Sequence, residues 1–378
     1  MDASVNRILP SIDERALLIG MRISGQGLEN VEDSLDELKL LVSTAGALTV
    51  EARIVKRERI DPGTILGKGY LAELRDYISQ QDVKLLVFDL NNIRPAQVRN
   101  LEEILKCRVV GRTEIILDIF AQRARSSESK IQVELAQLRY ILPRLKGLGG
   151  VLSRLGGGIG TRGPGEKMLE TDRRHVLKRI SVLKSKLDRI AEHRKLIRKS
   201  RSTECLGAVV GYTNAGKSTL INHLAKDDLF VEDRLFATLD SYTRMVYLGE
   251  NRKVLLTDTV GFIRNLPANL IESFKSTLEE INNADFLLHV VDITSRDIAN
   301  NITTVNDELA QLGCTLKPLI IFFNKSDKLK DGSQISRVLS QYPDAIVGSA
   351  YTGENMERLK HCIDEMCDIP YVKIKAKI

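Results

Sequence analysis

The stretch Gly211-Tyr-Thr-Asn-Ala-Gly-Lys-Ser218 decides the fold of the second half of this chain. It matches the phosphate-binding pattern G-x-x-x-x-G-K-S. The apolar residues 205–210 before it predict a buried strand, and residues 219–224 after it predict the start of a helix. In this strand–loop–helix setting, backbone N–H groups and the positive end of the helix dipole converge on phosphate oxygens. The sequence therefore predicts a nucleotide-binding α/β domain.

Each residue of this phosphate-binding loop has an expected task. Gly211 and Gly216 permit a close backbone approach that a Cβ would block. Lys217 is expected to reach the β- and γ-phosphates during catalysis, and the Ser218 hydroxyl is expected to ligate Mg²⁺. The other residues of the loop and its helix that are predicted to contact the nucleotide are Tyr212, Thr213, Asn214, Ala215 and Thr219.

A second motif, Asp258-Thr259-Val260-Gly261, follows the strand predicted at 254–257. An aspartate at a strand end can hold Mg²⁺ through water, and the N–H of Gly261 can sense the γ-phosphate. The segment Phe236-Ala-Thr-Leu-Asp240 lies between this motif and the phosphate-binding loop. We predict that Thr238 in this segment ligates Mg²⁺ when GTP is present and takes part in catalysis with Lys217 and Gly261. Phe236 is predicted to lie at the nucleotide.

A third motif, Asn324-Lys325-Ser-Asp327, follows the strand predicted at 319–323 and is expected to select the base. The Asp327 carboxylate can accept two hydrogen bonds from guanine N1–H and N2–H₂. Adenine offers no such pair, so an adenine complex would leave polar groups unpaired. The segment Ser349-Ala350-Tyr351 follows the next predicted strand and is expected to place a backbone N–H on guanine O6. Because the motifs occur in this order, each at a strand end, the predicted substrate is GTP.

The composition is that of a folded chain without a membrane segment or a secretory signal. The chain has 378 residues, enough for two or three domains, and 43% of them are hydrophobic. No apolar run reaches the ~18 residues of a membrane helix, and the N-terminus has no basic segment followed by an apolar core. The five cysteines are scattered and form no C-x-x-C. Free thiols, a reducing cytoplasmic compartment and no zinc site are therefore expected.

Hydrophobic patterns divide the chain into four predicted parts. Strand-like and helix-like segments alternate over residues 1–120, which predicts an α/β domain with a largely parallel sheet. Residues 121–202 predict a basic antiparallel helical hairpin, residues 203–370 a GTPase domain, and residues 371–378 a tail. The hairpin prediction rests on two coiled-coil stripes with spacing 4, 3, 4, 3, which are Ile131, Leu135, Leu138, Leu142 and Leu145, then Val176, Ile180, Leu183, Leu187 and Ile190.

A connection of nineteen residues, Gly147–Gly165, separates the two predicted helices, and nine of these residues are glycine. Packed helices usually need about two to eight residues between them. Arg154 and Arg162 stand beside Leu152 and Leu155 in place of polar filler. This composition favours a functional tip, and a flexible linker is the alternative.

The net charge of +6 conceals a strongly basic segment. Residues 121–201 contain twenty-one Lys or Arg and seven Asp or Glu, a balance of +14. Such a segment indicates a polyanionic partner, most simply nucleic acid. The alternative is a solvated helical face, which is common for charged segments.

The glycine-rich stretch Leu152–Arg174, together with Asp61–Gly69 and Phe236–Asp240, resembles the signature of the HflX family of translation-factor-related GTPases. The resemblance covers residues 14–370 approximately. It implies an N-terminal α/β domain, a P-loop GTPase domain and a helical hairpin whose loop approaches the peptidyl-transferase centre. It also implies a GTPase that binds the RNA and protein of the large ribosomal subunit and splits stalled or idle ribosomes under stress.

Two residues bear on the rate of hydrolysis. Phe262 stands where many GTPases have a Gln that orients the attacking water, so slow intrinsic hydrolysis is expected until a partner completes the site. Asn214 resembles the residue that helps potassium-activated GTPases hold K⁺, so K⁺ is a candidate cofactor beside Mg²⁺. The chain is expected to act as a monomer. The alternative functions are a GTP-switched RNA-remodelling protein and a GTP-dependent protein scaffold.

Asp327→Asn is expected to weaken GDP binding about a hundredfold and to strengthen binding of the xanthine nucleotide XDP. The reason is that the amide presents a donor where the carboxylate accepted two hydrogen bonds. Isothermal titration calorimetry with GDP and XDP measures both affinities, and Asp331→Asn, four residues downstream, is the matched control. An unchanged GDP affinity in Asp327→Asn would contradict the assignment of this motif.

Overall fold

A computed structural model describes residues 14–25, 27–152, 164–199, 204–226, 235–236, 239–240, 242–248, 252–264, 270, 273 and 275–368. Only the backbone is described at residues 146–152, 164–169, 195, 197–199 and 275–278. The chain divides into two compact units. Unit one comprises residues 1–188 and 267–273, and unit two comprises residues 189–266 and 274–378. The four-part division expected from the sequence stays a prediction, and the predicted tail lies outside the described residues.

Unit one contains a four-stranded parallel sheet in which strands alternate with helices. The elements are β1 (Arg15–Ile23), α1 (Leu28–Thr44), β2 (Leu48–Arg57), α2 (Lys68–Gln80), β3 (Leu85–Phe88), α3 (Pro95–Leu105), β4 (Arg108–Gly111) and α4 (Arg112–Arg123). The strand order is β2-β1-β3-β4, and every pair is parallel. Parallel neighbours need a crossover connection, which the intervening helices supply. The predicted α/β fold of this region is confirmed.

Helix α4 was not predicted from the sequence. Its residues Ile115–Phe120 are all buried, so the segment lacks the one-sided apolar stripe that identifies a surface helix. Arg112 at its start is 1% exposed and forms ion pairs with Asp89 and Glu37. A buried cation is tolerated only when it is paired in this way. The three side chains join α1, α4 and the carboxyl end of β3.

Two long helices, α5 (Ser127–Leu152) and α6 (Pro164–Lys199), follow α4. The predicted stripes pack together in one apolar cluster, which contains Ile131, Leu135, Leu138, Leu142, Val176, Ile180, Leu183 and Leu187. Beside this cluster, the Arg179 guanidinium donates to both carboxylate oxygens of Glu134 at 2.6 and 2.8 Å. The helical hairpin is therefore present. Neither these helices nor any other helix in the described part of the chain is long and apolar enough to cross a membrane.

The boundaries predicted for the glycine-rich connection are wrong at both ends. Helix α5 continues through residues 147–152, and α6 already begins at Pro164. Glycine lowers helix stability by about 1 kcal/mol relative to alanine but does not prevent helical backbone angles. Proline suits the first turn of a helix because its missing N–H has no partner there. The connection is thus limited to residues 153–163, which lie outside the described residues.

Unit two contains a six-stranded sheet. Its elements are β5 (Cys205–Gly211), α7 (Lys217–Ala225), β6 (Thr243–Tyr247), β7 (Lys253–Asp258), α8 (Lys275–Asn283), β8 (Phe286–Asp292), α9 (Ile298–Gln311), β9 (Leu319–Asn324), α10 (Ser333–Gln341), β10 (Ile346–Val347) and α11 (Met356–Asp368). The strand order is β10-β9-β8-β5-β7-β6, and only β6 is antiparallel to its neighbour. Strands β5, β7, β8 and β9 therefore end at the same edge of the sheet.

The prediction that all cysteines are free thiols is wrong for Cys205 and Cys367, which form a disulfide. Their Cα atoms lie 5.8 Å apart, within the range that a disulfide needs. Cys205 begins β5 and Cys367 lies in the last turn of α11, so that the link joins residues 162 positions apart. Sequence spacing could not reveal the pair because the fold alone brings the helix end to the strand start. Cys107, Cys314 and Cys362 are free.

Thiol titration tests this disulfide. Oxidised protein in denaturant is expected to show three reactive thiols, rising to five after reduction. Cys205→Ser is expected to show four without reduction, and the control Cys362→Ser two. Because a disulfide restricts the unfolded chain, its reduction is expected to lower the free energy of unfolding by about 2–4 kcal/mol. Five reactive thiols in the unreduced protein would contradict the pairing.

Candidate nucleotide and magnesium site

The phosphate-binding loop connects β5 to α7 at the carboxyl edge of the sheet in unit two. β5 ends at Gly211 and α7 begins at Lys217, so the loop leads directly into a helix N-terminus, where N–H groups and the helix dipole favour anions. Gly216 has φ +92°, and a Cβ at this position would lie 2.2 Å from Asn324 Nδ2. Only glycine is compatible with this backbone conformation and this contact.

Lys217 is held inside the protein by the loop itself. Its ammonium Nζ donates to the carbonyl oxygens of Gly211 at 3.2 Å and Tyr212 at 2.9 Å. Burial lowers the pKa of Lys217 to about 8, the nearby Asp258 opposes that shift, and Lys325 adds to it. A phosphate beside Nζ would favour the charged form and reverse the shift. The lysine is therefore placed to accept an anionic ligand.

Ser218 and Asp258 form the part of the predicted magnesium site that the structure describes. The Ser218 hydroxyl donates to Asp258 Oδ2 at 2.6 Å. Ser218 lies in the first turn of α7, and Asp258 is the last residue of β7. Hydroxyl and carboxylate oxygens are the ligands that Mg²⁺ prefers, so the pair fits this ion. When bound, Mg²⁺ neutralises charge on the β- and γ-phosphates. Thr238 lies outside the described residues, and its role as a ligand stays a prediction.

The Asn324 side chain connects the base-recognition motif to the phosphate-binding loop. Its Nδ2 donates to Ala215 O at 2.9 Å, and its Oδ1 accepts from the N–H of Ala350 at 2.8 Å. Asn324 is 3% exposed, so both bonds form away from water. One buried amide thus joins three loops. The Ala350 N–H already donates to Asn324 in this structure. Its predicted contact with guanine O6 stays a prediction.

Lys325 and Asp327 are held by neighbouring loops. Lys325 Nζ donates to Asn214 O at 2.7 Å and pairs with Asp292 at 2.7 Å. Asp327 accepts a hydrogen bond from the Ser349 hydroxyl, which places its carboxylate beside the segment 349–351. Tyr351 is 83% exposed and uses its N–H to donate to Ser349 Oγ at 3.2 Å. The base-recognition residues therefore lie together at the same edge of the sheet as the phosphate-binding loop.

The residues after β7, 259–264, lie against the phosphate-binding loop and are called here the closing segment. The Thr213 N–H donates to Phe262 O at 2.8 Å, and the Phe262 N–H donates to Gly211 O at 3.1 Å. A Cβ on Gly261 would lie 3.0 Å from Lys217 Nζ and 2.9 Å from Thr213 Cα. Gly261 therefore fills the space beside the Lys217 ammonium. We expect a γ-phosphate placed at that ammonium to displace the closing segment.

Three further contacts hold the closing segment in place. The Thr259 hydroxyl donates to Val209 O at 2.7 Å. The Arg264 N–H donates to the Tyr212 phenol oxygen at 2.9 Å, and the Arg264 guanidinium donates to Asp297 at 3.1 Å. The segment is thus fixed at both ends, with the buried side chains of Val260 and Phe262 between them.

Phe236, Leu239 and Asp240 are the described members of the segment 236–240, which lies between α7 and β6. Phe236 is the one of these three that was predicted to lie at the nucleotide. It is 2% exposed and has a left-handed φ of 53°, which is uncommon for a bulky residue. Its burial in unit two does not by itself place it at the nucleotide. The predicted contact stays a prediction.

Three family models together match most of the chain. Residues 32–121 match the model described as GTP-binding GTPase N-terminal, and residues 123–201 match the GTP-binding GTPase middle region. Residues 207–325 match the model described as 50S ribosome-binding GTPase.

Curated relatives named GTPase HflX are similar over nearly the whole chain. The protein of Lacrimispora saccharolytica is 49% identical over 94% of this chain and 84% of the relative. That of Caldanaerobacter subterraneus is 50% identical over 84% of this chain and 73% of the relative. The Escherichia coli protein is 40% identical over 93% and 82%. This chain belongs to the HflX family of GTPases. It binds GTP and hydrolyses it.

A solved structure shares the fold of this HflX-family chain. The complex of SsGBP with GDP is 23% identical, has a TM-score of 0.51, and is covered over 98% of its length by 94% of this chain. The likeness supports the architecture described above.

Four residues of this HflX site were missed by sequence reasoning. Asp292 ends β8 beside the strand that ends at Asn324, and a carboxylate at a strand end was the available signal. Arg264 and its partner Asp297 gave no signal because they lie thirty-three residues apart. His289 lies within the apolar run of β8 and is 1% exposed. Burial, and then the charge of Lys217, lower the pKa of His289 to about 4, so His289 adds no positive charge beside Lys217 at neutral pH.

Arg264→Ala is expected to raise the ratio of GTP affinity to GDP affinity about twofold to fivefold. It removes the part-buried ion pair with Asp297 that holds the closing segment, and we expect only GTP, through its γ-phosphate, to displace that segment. Competition binding with a fluorescent guanine nucleotide and a non-hydrolysable GTP analogue measures the ratio. Arg337→Ala, at an exposed arginine of α10, is the matched control. A ratio equal to that of wild type would contradict the restraining role of the pair.

Proposed function

We propose that this GTPase binds the large ribosomal subunit and uses the GTP cycle to split stalled or idle ribosomes under stress. The family model matched by residues 207–325 is described as a ribosome-binding GTPase, which supports the choice of partner. Membership of the HflX family supports it also. The proposed role connects the nucleotide site in unit two with the basic helical hairpin.

The observation that carries this proposal is the basic surface of α6. Ile180 and Leu183 are buried in the hairpin cluster, whereas several cations of α6 on either side of them are exposed. The exposed cations of this helix include Arg174, Lys178, Arg179, Lys184, Lys186 and Arg189. A helix with one buried apolar stripe and exposed cations suits the phosphate backbone of ribosomal RNA.

The glycine-rich connection at the end of the hairpin is proposed to act inside the ribosome. Residues 153–163 retain Arg154 and Arg162, together with a high proportion of glycine. A tip with little side-chain bulk and two cations fits a narrow site lined by RNA. We infer that the cations of α6 provide docking and that the tip displaces what holds the subunits together.

The proposed cofactors and setting follow from the same site. Mg²⁺ is expected at Ser218 and Thr238, with Asp258 acting through water. K⁺ is proposed as an additional ion near Asn214, whose backbone oxygen already accepts from Lys325. We propose that the protein acts in the cytoplasm as a monomer. The Cys205–Cys367 pair is expected to be reduced in that compartment.

Purified large subunits are expected to raise GTP turnover about tenfold or more over the intrinsic rate. Phe262 cannot orient the attacking water, so a partner that reorganises the site has much to add. The measurement is phosphate release with and without large subunits, and with free ribosomal RNA as the comparison. Equal stimulation by free RNA would favour an RNA-remodelling protein. No stimulation by either would contradict the ribosomal proposal.

Replacing residues 153–163 with a short Gly/Ser turn is expected to preserve docking and abolish splitting. Co-sedimentation measures docking, and light scattering measures splitting.

The triple variant Lys184→Ala, Lys186→Ala, Arg189→Ala is expected to weaken docking. The slope of the logarithm of the binding constant against the logarithm of the salt concentration is expected to become shallower by about two to three units. The matched control replaces the exposed Lys330, Arg337 and Arg358 with alanine. Wild-type splitting by the variant without residues 153–163 would contradict the proposed role of the connection and would show that it is only a linker.

A further inference from the structure

Hydrolysis of GTP needs a group that orients the attacking water, and the usual residue is absent. A Gln side chain suits this task because its carbonyl accepts from the water and its amide donates to the γ-phosphate. Phe262 occupies the corresponding position and is 3% exposed. Its ring offers neither a conventional donor nor an acceptor. For hydrolysis without a partner, this pair of hydrogen bonds would have to come from another group of the site.

Thr213 carries a buried hydroxyl that no group in the described part of the chain uses. The residue is 7% exposed, and its Oγ1 has no hydrogen-bond partner among the described residues. Buried hydroxyls nearly always find a partner, since burial without one is unfavourable. An unpartnered hydroxyl in the phosphate-binding loop therefore points to a partner that comes from outside the chain.

The position of Thr213 indicates which partner this is. A Cβ on Gly261 would lie 3.0 Å from Thr213 Cγ2 and 3.0 Å from Lys217 Nζ, so both side chains border the space that Gly261 takes. The Thr213 N–H donates to Phe262 O, which ties the same residue to the closing segment. When that segment moves to admit the γ-phosphate, Thr213 and Lys217 face the space that it leaves.

We propose that the Thr213 hydroxyl is a catalytic group that orients the attacking water. A hydroxyl is one donor and two acceptors, so it can do both tasks of the missing Gln. Its oxygen accepts a hydrogen bond from the water, and its proton is donated to a γ-phosphate oxygen. The water oxygen then bonds to the γ-phosphorus while the bond from phosphorus to the β–γ bridging oxygen breaks, and its electron pair leaves with GDP. One water proton passes to the released phosphate, and Thr213 keeps its own.

The proposal concerns the intrinsic GTPase reaction and does not depend on the ribosome. Its test is therefore made with the full chain alone, by single-turnover phosphate release with Mg²⁺ and with the protein in saturating excess over GTP. Thr213→Val keeps the β-branched shape and removes the hydroxyl, whereas Thr213→Ser keeps the hydroxyl and removes the methyl group. Thr257→Val removes another buried hydroxyl, which lies 2.9 Å from that of Thr243, and serves as the control.

Thr213→Val is expected to lower the rate constant about tenfold to a hundredfold, with GDP affinity within about twofold of wild type. Thr213→Ser and Thr257→Val are expected to stay within about threefold of the wild-type rate. A wild-type rate in Thr213→Val would overturn the proposal. So would a Thr213→Ser variant as slow as Thr213→Val, which would assign the effect to packing. Loss of GDP binding in Thr213→Val would overturn it also, because the hydroxyl would then act in binding.

Discussion

The buried ammonium of Lys217 is the interaction on which the nucleotide site depends. It is enclosed by the carbonyls of Gly211 and Tyr212, and burial lowers its pKa to about 8. The surrounding groups limit the penalty of a buried cation. Asp258 contributes negative charge, and the depressed pKa of His289 keeps that neighbour neutral. A phosphate would complete the neutralisation, so the electrostatics around Lys217 favour an anionic ligand.

The backbone of Gly261 lies in the space beside the Lys217 ammonium, where we expect a γ-phosphate to bind. Gly261 approaches Lys217 and Thr213 closely enough that no side chain could be accommodated. Backbone bonds between the closing segment and the phosphate-binding loop hold this arrangement, and the Arg264–Asp297 pair extends it to α9. A γ-phosphate beside Lys217 would compete with these bonds, so we expect GTP and GDP to differ in the position of this segment.

Unit one combines a helix-covered parallel sheet with a hairpin whose second helix, α6, is rich in positive charge. The parallel sheet is covered by helices, and even its buried Arg112 is neutralised by Asp89 and Glu37. The hairpin that follows uses a narrow leucine-rich seam, which leaves most of α6 for charged residues. The apolar face of α6 therefore packs against α5 and stabilises the hairpin, while another face of the same helix exposes positive charge.

Local patterns in the sequence determined much of this protein. The strand–loop–helix motif, the strands that end at Asp258 and Asn324, and the two hairpin stripes were all predictable. Each is encoded by residues near one another in the chain, through periodicity or backbone requirements. Helix α4 was not predicted because burial on all sides removes the periodic signal of a helix. The end of α5 was predicted too early because glycine permits helical backbone angles, so that the helix continues through Gly147. Only the tertiary structure decided the contacts between distant residues. The Cys205–Cys367 link, the Asp292–Lys325 pair and the approach of Gly261 to Lys217 depend on strand order and helix placement. These long-range contacts bring together groups whose separation along the chain carries no pairing information, so no local pattern could have specified them.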